Sequence, residues 1–193
     1  GRQSDTCGPA CSRALYADIA TEDECARLRE YAAARLAAID DGAEEEASVD
    51  VSEAADAGDV RLALLLLRII ERLRRVVAHE HGLPSSRVQT SSAFVSRVRG
   101  TGGDEPESYG LIHSDESSIN SHYSAVLHLQ TAGDGFEGGD LVFTDQAEDD
   151  GSRRLTRLTP QCGRAVVFSS GWENCHYVDG CMGERFALPV FFE

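Results

Sequence analysis

The sequence predicts an α+β fold: two N-terminal helices laid against an antiparallel sandwich or open barrel. Three observations carry this. Residues 1–87 hold two long segments with apolar residues at helical spacing, whereas residues 88–193 break into short runs rich in Val, Phe, Leu and Thr between Gly, Asp and Pro. Several of those runs also alternate, with one wholly apolar face and one mixed face carrying a basic group.

The first twelve residues, "GRQSDTCGPACS", suit the remnant of a trimmed terminus, with any targeting segment missing. Thr21 and Glu24 then stand at capping-box spacing before "CARLREYAAARLAAI", which predicts a helix over about 22–39. Residues 40–58 are acidic and poor in large apolar side chains, so a mobile connector is expected. A second helix is expected over about 59–81. Arg61, Arg68, Arg72, Arg75 and His79 make its polar face, and Leu62, Leu66, Ile69, Ile70, Leu73 and Val77 make its buried stripe. Gly82 and Pro84 stop it. Its arginines also prevent it from crossing a bilayer, so no membrane span is expected.

From residue 88 the predicted strands are "QTSSAFVSRV", "YSAVLHLQ", "DLVFTD", "RLTRL", "RAVVFSS", "CHYVD" and "RFALPVFF". "FTDQAEDDGSRRLTRL" has the form of a hairpin turning at Asp150-Gly151. In the second strand Tyr123, Ala125, Leu127 and Leu129 share one face, against Ser124, Val126, His128 and Gln130. In the last, Phe186, Leu188, Val190 and Phe192 oppose Arg185, Ala187, Pro189 and Phe191. Helices outside and a polar pocket inside would use both faces.

The 193 residues, 41% of them hydrophobic, suit one domain with a real core. A formal net charge of −15 argues against nucleic acid, whose phosphates need Lys and Arg partners. Cys7, Cys11, Cys25, Cys162, Cys175 and Cys181 form an even set, consistent with disulfides or with buried thiols. A bridge from Cys175 to Cys181 is one expectation and a free thiol the other. Gly138 and Gly139 serve a turn, since no helix follows to make a phosphate site.

The chemistry starts at "LIHSDESSINSHYSAVLHLQT". His113 and Asp115 stand two residues apart, projecting to one side if the chain is extended. His176 in "SSGWENCHYVDG" opens a later strand. Two imidazoles and a carboxylate can occupy one face of an octahedral ion and leave three positions open, as in non-haem Fe(II) sites. Arg185, on the pocket side of the last strand, could clamp a carboxylate co-substrate through paired hydrogen bonds.

On "HSD", "HYSAVLHL", "GFEGGDLVFTD", "PQCGRAVVFSSGWENCH" and "GERFALPVFF" the chain resembles the 2-oxoglutarate- and Fe(II)-dependent oxygenases. Within them it resembles the prolyl-hydroxylase branch, and the leprecan-type prolyl 3-hydroxylase catalytic domain in particular. "TEDECARLREYA" resembles the helix preceding the barrel in these enzymes. The resemblance implies a double-stranded β-helix (jelly-roll) core over 88–193 with helical support over 1–87, all in one domain. It implies that His113, Asp115 and His176 bind Fe(II), that Arg185 holds the distal carboxylate of 2-oxoglutarate, and that His128 and Tyr109 complete the co-substrate pocket. It further implies O2 as oxidant, ascorbate as accessory reductant, and succinate and CO2 as co-products. The substrate class would be peptidyl proline in a Pro-rich or collagen-like chain, hydroxylated at the 3- or 4-position. The compartment would be the secretory pathway, at the endoplasmic reticulum. Two departures stand out: His128 replaces a Tyr usual in relatives, which would make co-substrate affinity pH-sensitive, and Trp172 replaces a common Gly. Hydroxylation of another side chain, a non-catalytic peptide-binding relative and a zinc hydrolase are the alternatives.

Overall fold

The computed structural model describes residues 13–39, 46–50, 52, 54, 58–100, 109–119, 121–147 and 153–193. Among the described residues, eleven strands lie in two antiparallel sheets. The larger runs β1 (Arg13–Tyr16), β9 (Ala165–Ser169), β5 (Tyr123–His128), β11 (Cys181–Phe192), β3 (Thr90–Arg99) and β2 (Glu46–Asp50), with β6 (Phe136–Gly138) pairing onto β11. The smaller runs β4 (Tyr109–His113), β10 (His176–Val178), β7 (Leu141–Ala147) and β8 (Arg153–Leu158). This two-sheet arrangement is the expected double-stranded β-helix.

Helix α1 spans Glu22–Ile39 and begins on the expected capping box. Thr21 N–H donates to Glu24 Oε2 at 2.9 Å and Glu24 N–H donates to Thr21 Oγ1 at 3.2 Å. Glu22, Asp23 and Glu24 also face the positive end of the helix dipole. Helix α2 spans Val60–Glu80, and Asp59 caps it by accepting from Leu62 N–H. Every residue of its expected apolar stripe is buried, together with Leu65 and Ala78. Arg72 ties the two helices together, donating to Glu24 and to the Ile19 carbonyl. None of the helices among the described residues is long and apolar enough to cross a membrane.

The main core lies between the helices and one face of the larger sheet. Cys25, Leu28, Ala32 and Leu36 of α1 and the α2 stripe meet Ala125, Leu127, Leu188, Val190 and Phe192. A second, smaller core fills the space between the sheets, where Val126, Leu141, Phe143, Val166, Phe168 and Ala187 pack. The predicted alternation in β5 and β11 sorts these residues correctly: odd-numbered positions of β5 go under the helices, and Val126 goes inside.

Three sequence expectations need correction. The acidic segment 40–58 is not wholly a connector: Glu46–Asp50 forms edge strand β2, paired along β3, with Val49 buried. Pairing and one buried Val stabilise it despite its acidic composition. His113 and Asp115 do not share one extended segment, because β4 ends at His113 and Asp115 opens a short helix, α3 (Asp115–Ile119). No disulfide joins Cys25, Cys162, Cys175 or Cys181. Cys181 packs with Val98 and Phe136 instead, its thiol directed at the Val98 carbonyl. Cys7, Cys11 and the turn at Asp150-Gly151 lie outside the described residues, although β7 and β8 do form the expected antiparallel pair.

Candidate metal and co-substrate site

Three elements from two directions in sequence bring His113, Asp115 and His176 together. Strands β4 and β10 are hydrogen-bonded with His113 directly opposite His176, and α3 turns Asp115 back toward both. One ligand atom from each residue lies within 4.8 Å of the other two, a spacing a single ion can bridge. Asp115 Oδ1 sits 3.5 Å from His113 Nε2 and 3.6 Å from His176 Nε2, too far for good hydrogen bonds and suited to a shared cation. The His113 side chain is 41% exposed while Asp115 and His176 are buried, so the site opens on the His113 side.

The surroundings hold each ligand in a metal-ready state. His176 Nδ1 is 2.9 Å from the Asn174 carbonyl, which can only accept; the proton therefore sits on Nδ1 and the Nε2 lone pair faces Asp115. Asn174 is itself buried and donates through Nδ2 to the Ser169 carbonyl and hydroxyl. Phe168 and Phe143 pack on the His176 ring at centroid distances of 5.1 and 5.4 Å, fixing its plane. Burial lowers the His176 pKa, outweighing the nearby Asp115 charge, so the ring stays neutral as a ligand must. Burial alone would raise the Asp115 pKa, but His113, His176 and Ser124 together hold it below its ordinary value and keep it anionic.

The larger sheet carries a second polar cluster. Arg185 in β11 is 2% exposed, and His128 at the end of β5 is 1% exposed. His128 is opposite Ala187, two residues along β11 from Arg185, which puts both basic groups on the face turned toward the smaller sheet. Among the described residues, neither imidazole nitrogen of His128 has a hydrogen-bond partner. Burial, then the Arg185 and Arg164 charges, pushes its pKa down to about 3. The expected pH switch is thereby corrected for the ligand-free protein: the ring is neutral throughout the physiological range and can still donate one hydrogen bond. The Arg185 and Arg164 charges beside a neutral, deeply buried imidazole suit an anionic group such as a small carboxylate.

Three features here escaped the sequence. Gly139 adopts φ +69°, and a Cβ on it would lie 2.7 Å from Arg185 Cδ, so this glycine makes room for the guanidinium stem. Arg13 of β1 forms an ion pair with Asp145 and lies 4.5 Å over the Phe143 ring, bracing the wall against which His176 packs. A chain of buried serines reaches Asp115. Gly139 was itself expected as a turn glycine, and only its place beside Arg185 went unseen; the others involve residues distant in sequence with no local pattern. Of the other residues singled out, Trp172 is 61% exposed, and the Tyr109 side chain lies outside what is described.

Residues 101–193 match the 2OG-Fe(II) oxygenase superfamily. The mouse protein prolyl 3-hydroxylase 1 is 31% identical over 148 residues, covering 67% of this chain and 19% of that protein. The chain thus spans about a fifth of the curated relatives it matches. Among solved structures, the viral collagen prolyl hydroxylase of Paramecium bursaria Chlorella virus-1, in complex with 2OG, aligns with a TM-score of 0.62 at 12% identity, covering 93% of this chain and 94% of that one. A Pseudomonas putida prolyl-4-hydroxylase aligns with a TM-score of 0.59 at 21% identity, covering 95% and 92%. At such identities these two likenesses establish the fold.

Proposed function

We propose that this chain, which carries a 2OG-Fe(II) oxygenase superfamily domain over residues 101–193, is an Fe(II)- and 2-oxoglutarate-dependent dioxygenase hydroxylating peptidyl proline. The substrate we assign is an extended Pro-rich or collagen-like segment, hydroxylated at the 3- or 4-position. The observation that carries this reading is the presence of two clusters: a metal-ready triad, and a buried Arg185–His128 pair whose imidazole has no hydrogen-bond partner among the described residues. A peptide-binding module needs neither, and a zinc hydrolase has no use for the second.

His113, Asp115 and His176 hold the ion through Nε2, Oδ1 and Nε2. Arg185 binds the distal carboxylate of 2-oxoglutarate, and His128 donates a hydrogen bond beside it. With Fe(II) and 2-oxoglutarate held there, the chemistry supplied would be oxidative decarboxylation, with CO2 released, one oxygen atom of O2 going to succinate and the other to the substrate. The protein orients these groups and keeps water from the buried side: Phe143 and Phe168 seal the wall behind His176. Substrate enters on the open side, at His113. Polyproline segments are extended and stiff, so they suit a shallow opening better than a deep pocket. The prolyl 3-hydroxylase relatives favour proline over lysine as the target. We place the protein in the secretory pathway by the same kinship, and we assign residues 1–193 to a single domain.

The test is mass spectrometry of Pro-rich and collagen-like peptides incubated with protein, Fe(II), ascorbate and 2-oxoglutarate. A gain of one oxygen atom on proline, lost in His176→Ala, is expected, and fragmentation then gives the ring position. Oxygen added only to another side chain would replace the substrate; no product from metal-loaded protein would leave a binding module.

A further inference from the structure

A line of hydroxyl groups leads away from the triad into the protein. Ser124 Oγ donates to Asp115 Oδ2 at 2.6 Å, Ser124 and Ser170 Oγ atoms are 2.7 Å apart, and Ser121 Oγ donates to Ser170 Oγ at 3.0 Å. All three serines are at most 1% exposed. An ionised carboxylate only accepts, so the single Ser124 proton is committed to Asp115. Ser124 must then accept from Ser170, and Ser170 from Ser121. One orientation satisfies all three groups, with every donor aimed at the carboxylate. Aligned hydroxyls of this kind polarise one another, and the terminal bond to a charged acceptor is the strong type.

The backbone fixes the line in place. Ser124 lies in β5 opposite Phe168, and Ser170 follows β9 directly. Ser170 N–H donates to the His122 carbonyl at 3.0 Å, and the Ser170 carbonyl accepts from Glu116 N–H at 2.9 Å. Ser170 thus joins the first turn of α3, which carries Asp115, to the strand pair behind it.

We infer that Ser124, backed by Ser170 and Ser121, is a positioning residue that occupies Asp115 Oδ2 and leaves only Oδ1 to the metal. This rests on the triad reading above. Both imidazole Nε2 atoms converge on Oδ1, at 3.5 and 3.6 Å, whereas Oδ2 is the oxygen that Ser124 holds. Without the serine, Oδ2 is released and the carboxylate can turn to grip the ion through both oxygens, using up a position that the co-substrate or O2 needs. A purely architectural role, in which the serines merely satisfy one another, leaves the metal indifferent to them.

The test is metal binding by the purified, metal-free chain, with Mn(II) by calorimetry and Co(II) by visible absorption. Ser124→Ala is expected to change Mn(II) affinity by about 10–100-fold, the scale on which lost partners of metal ligands act. It should also change the Co(II) spectrum toward a different coordination geometry. Ser170→Ala, which frees the Ser124 hydroxyl to turn away, is expected to act in the same direction but less, and it serves as the test should Ser124→Ala not fold. Unchanged affinity and an unchanged Co(II) spectrum in folded variants would overturn the inference while leaving the triad intact. Failure of the unaltered chain to bind either ion would instead overturn the triad reading.

Discussion

His128 is a buried base held neutral, and that makes the protein acid-sensitive in a calculable way. Its folded pKa is pushed from the ordinary 6.5 down to about 3 by burial, then by Arg185 and Arg164. Between those values the unfolded chain binds a proton at this position and the folded chain does not. Stability therefore falls as pH drops through 6.5 and goes on falling to about 3. At about 1.4 kcal/mol per pH unit, the loss from pH 6.5 to pH 5 is about 2 kcal/mol from this one group. His128→Gln keeps a neutral donor and removes the titration. Urea unfolding of both proteins at pH 7 and pH 5 isolates the term. His176 and the carboxylates with lowered pKa, among them Asp115, Asp145 and Glu24, also cost stability on acidification, but they do so in both proteins and cancel. The unaltered chain should lose about 2 kcal/mol more than the variant. Equal losses would refute the idea that His128 is folded away uncharged beside Arg185.

Gly139→Ala should cost about 1–2 kcal/mol from its left-handed backbone. Because its Cβ would crowd Arg185 Cδ at 2.7 Å, it should also weaken 2-oxoglutarate binding; unchanged affinity by calorimetry would show that Arg185 can move aside. Thr21→Ala removes half of the α1 capping box and should lower stability by about 1 kcal/mol in urea unfolding. No change would mean the cap is frayed in solution. Leu28→Ala empties a fully buried position between α1 and the sheet and should cost about 2–5 kcal/mol, while metal affinity of the folded fraction stays constant. A parallel loss of metal affinity would show that the helical layer and the site are coupled.

Where periodicity is long, the sequence and the structure agree on the elements to within a few residues at their ends. Helix α1, with its cap at Thr21, and helix α2 were legible because propensity and pattern point one way, whereas the Asp59 cap of α2 was not foreseen. Strands β5 and β11 were legible for the same reason. The short strands β1, β4 and β6, and acidic β2, were not: "RALY", "YGLIH", "FEG" and "EASVD" carry little pattern of their own and become strands by pairing with neighbours far along the chain. The triad was visible because its residue types are rare in combination, although α3 could not be foreseen from His-x-Asp spacing. The serine chain was invisible, since serines are common and nothing local marks which of them are buried. His128 was recognised as unusual, but its neutrality depends on Arg164 and Arg185, which only the folded sheet brings near.

The proposed activity requires the two clusters to act as one site. Equilibrium binding of 2-oxoglutarate, measured without oxygen on the metal-free and Fe(II)-loaded chain, tests this directly. Saturable binding at one per chain is predicted, strongly favoured by Fe(II), accompanied by the visible absorption of an Fe(II)–keto acid chelate, and lost in Arg185→Ala. Binding indifferent both to the metal and to Arg185 would contradict it.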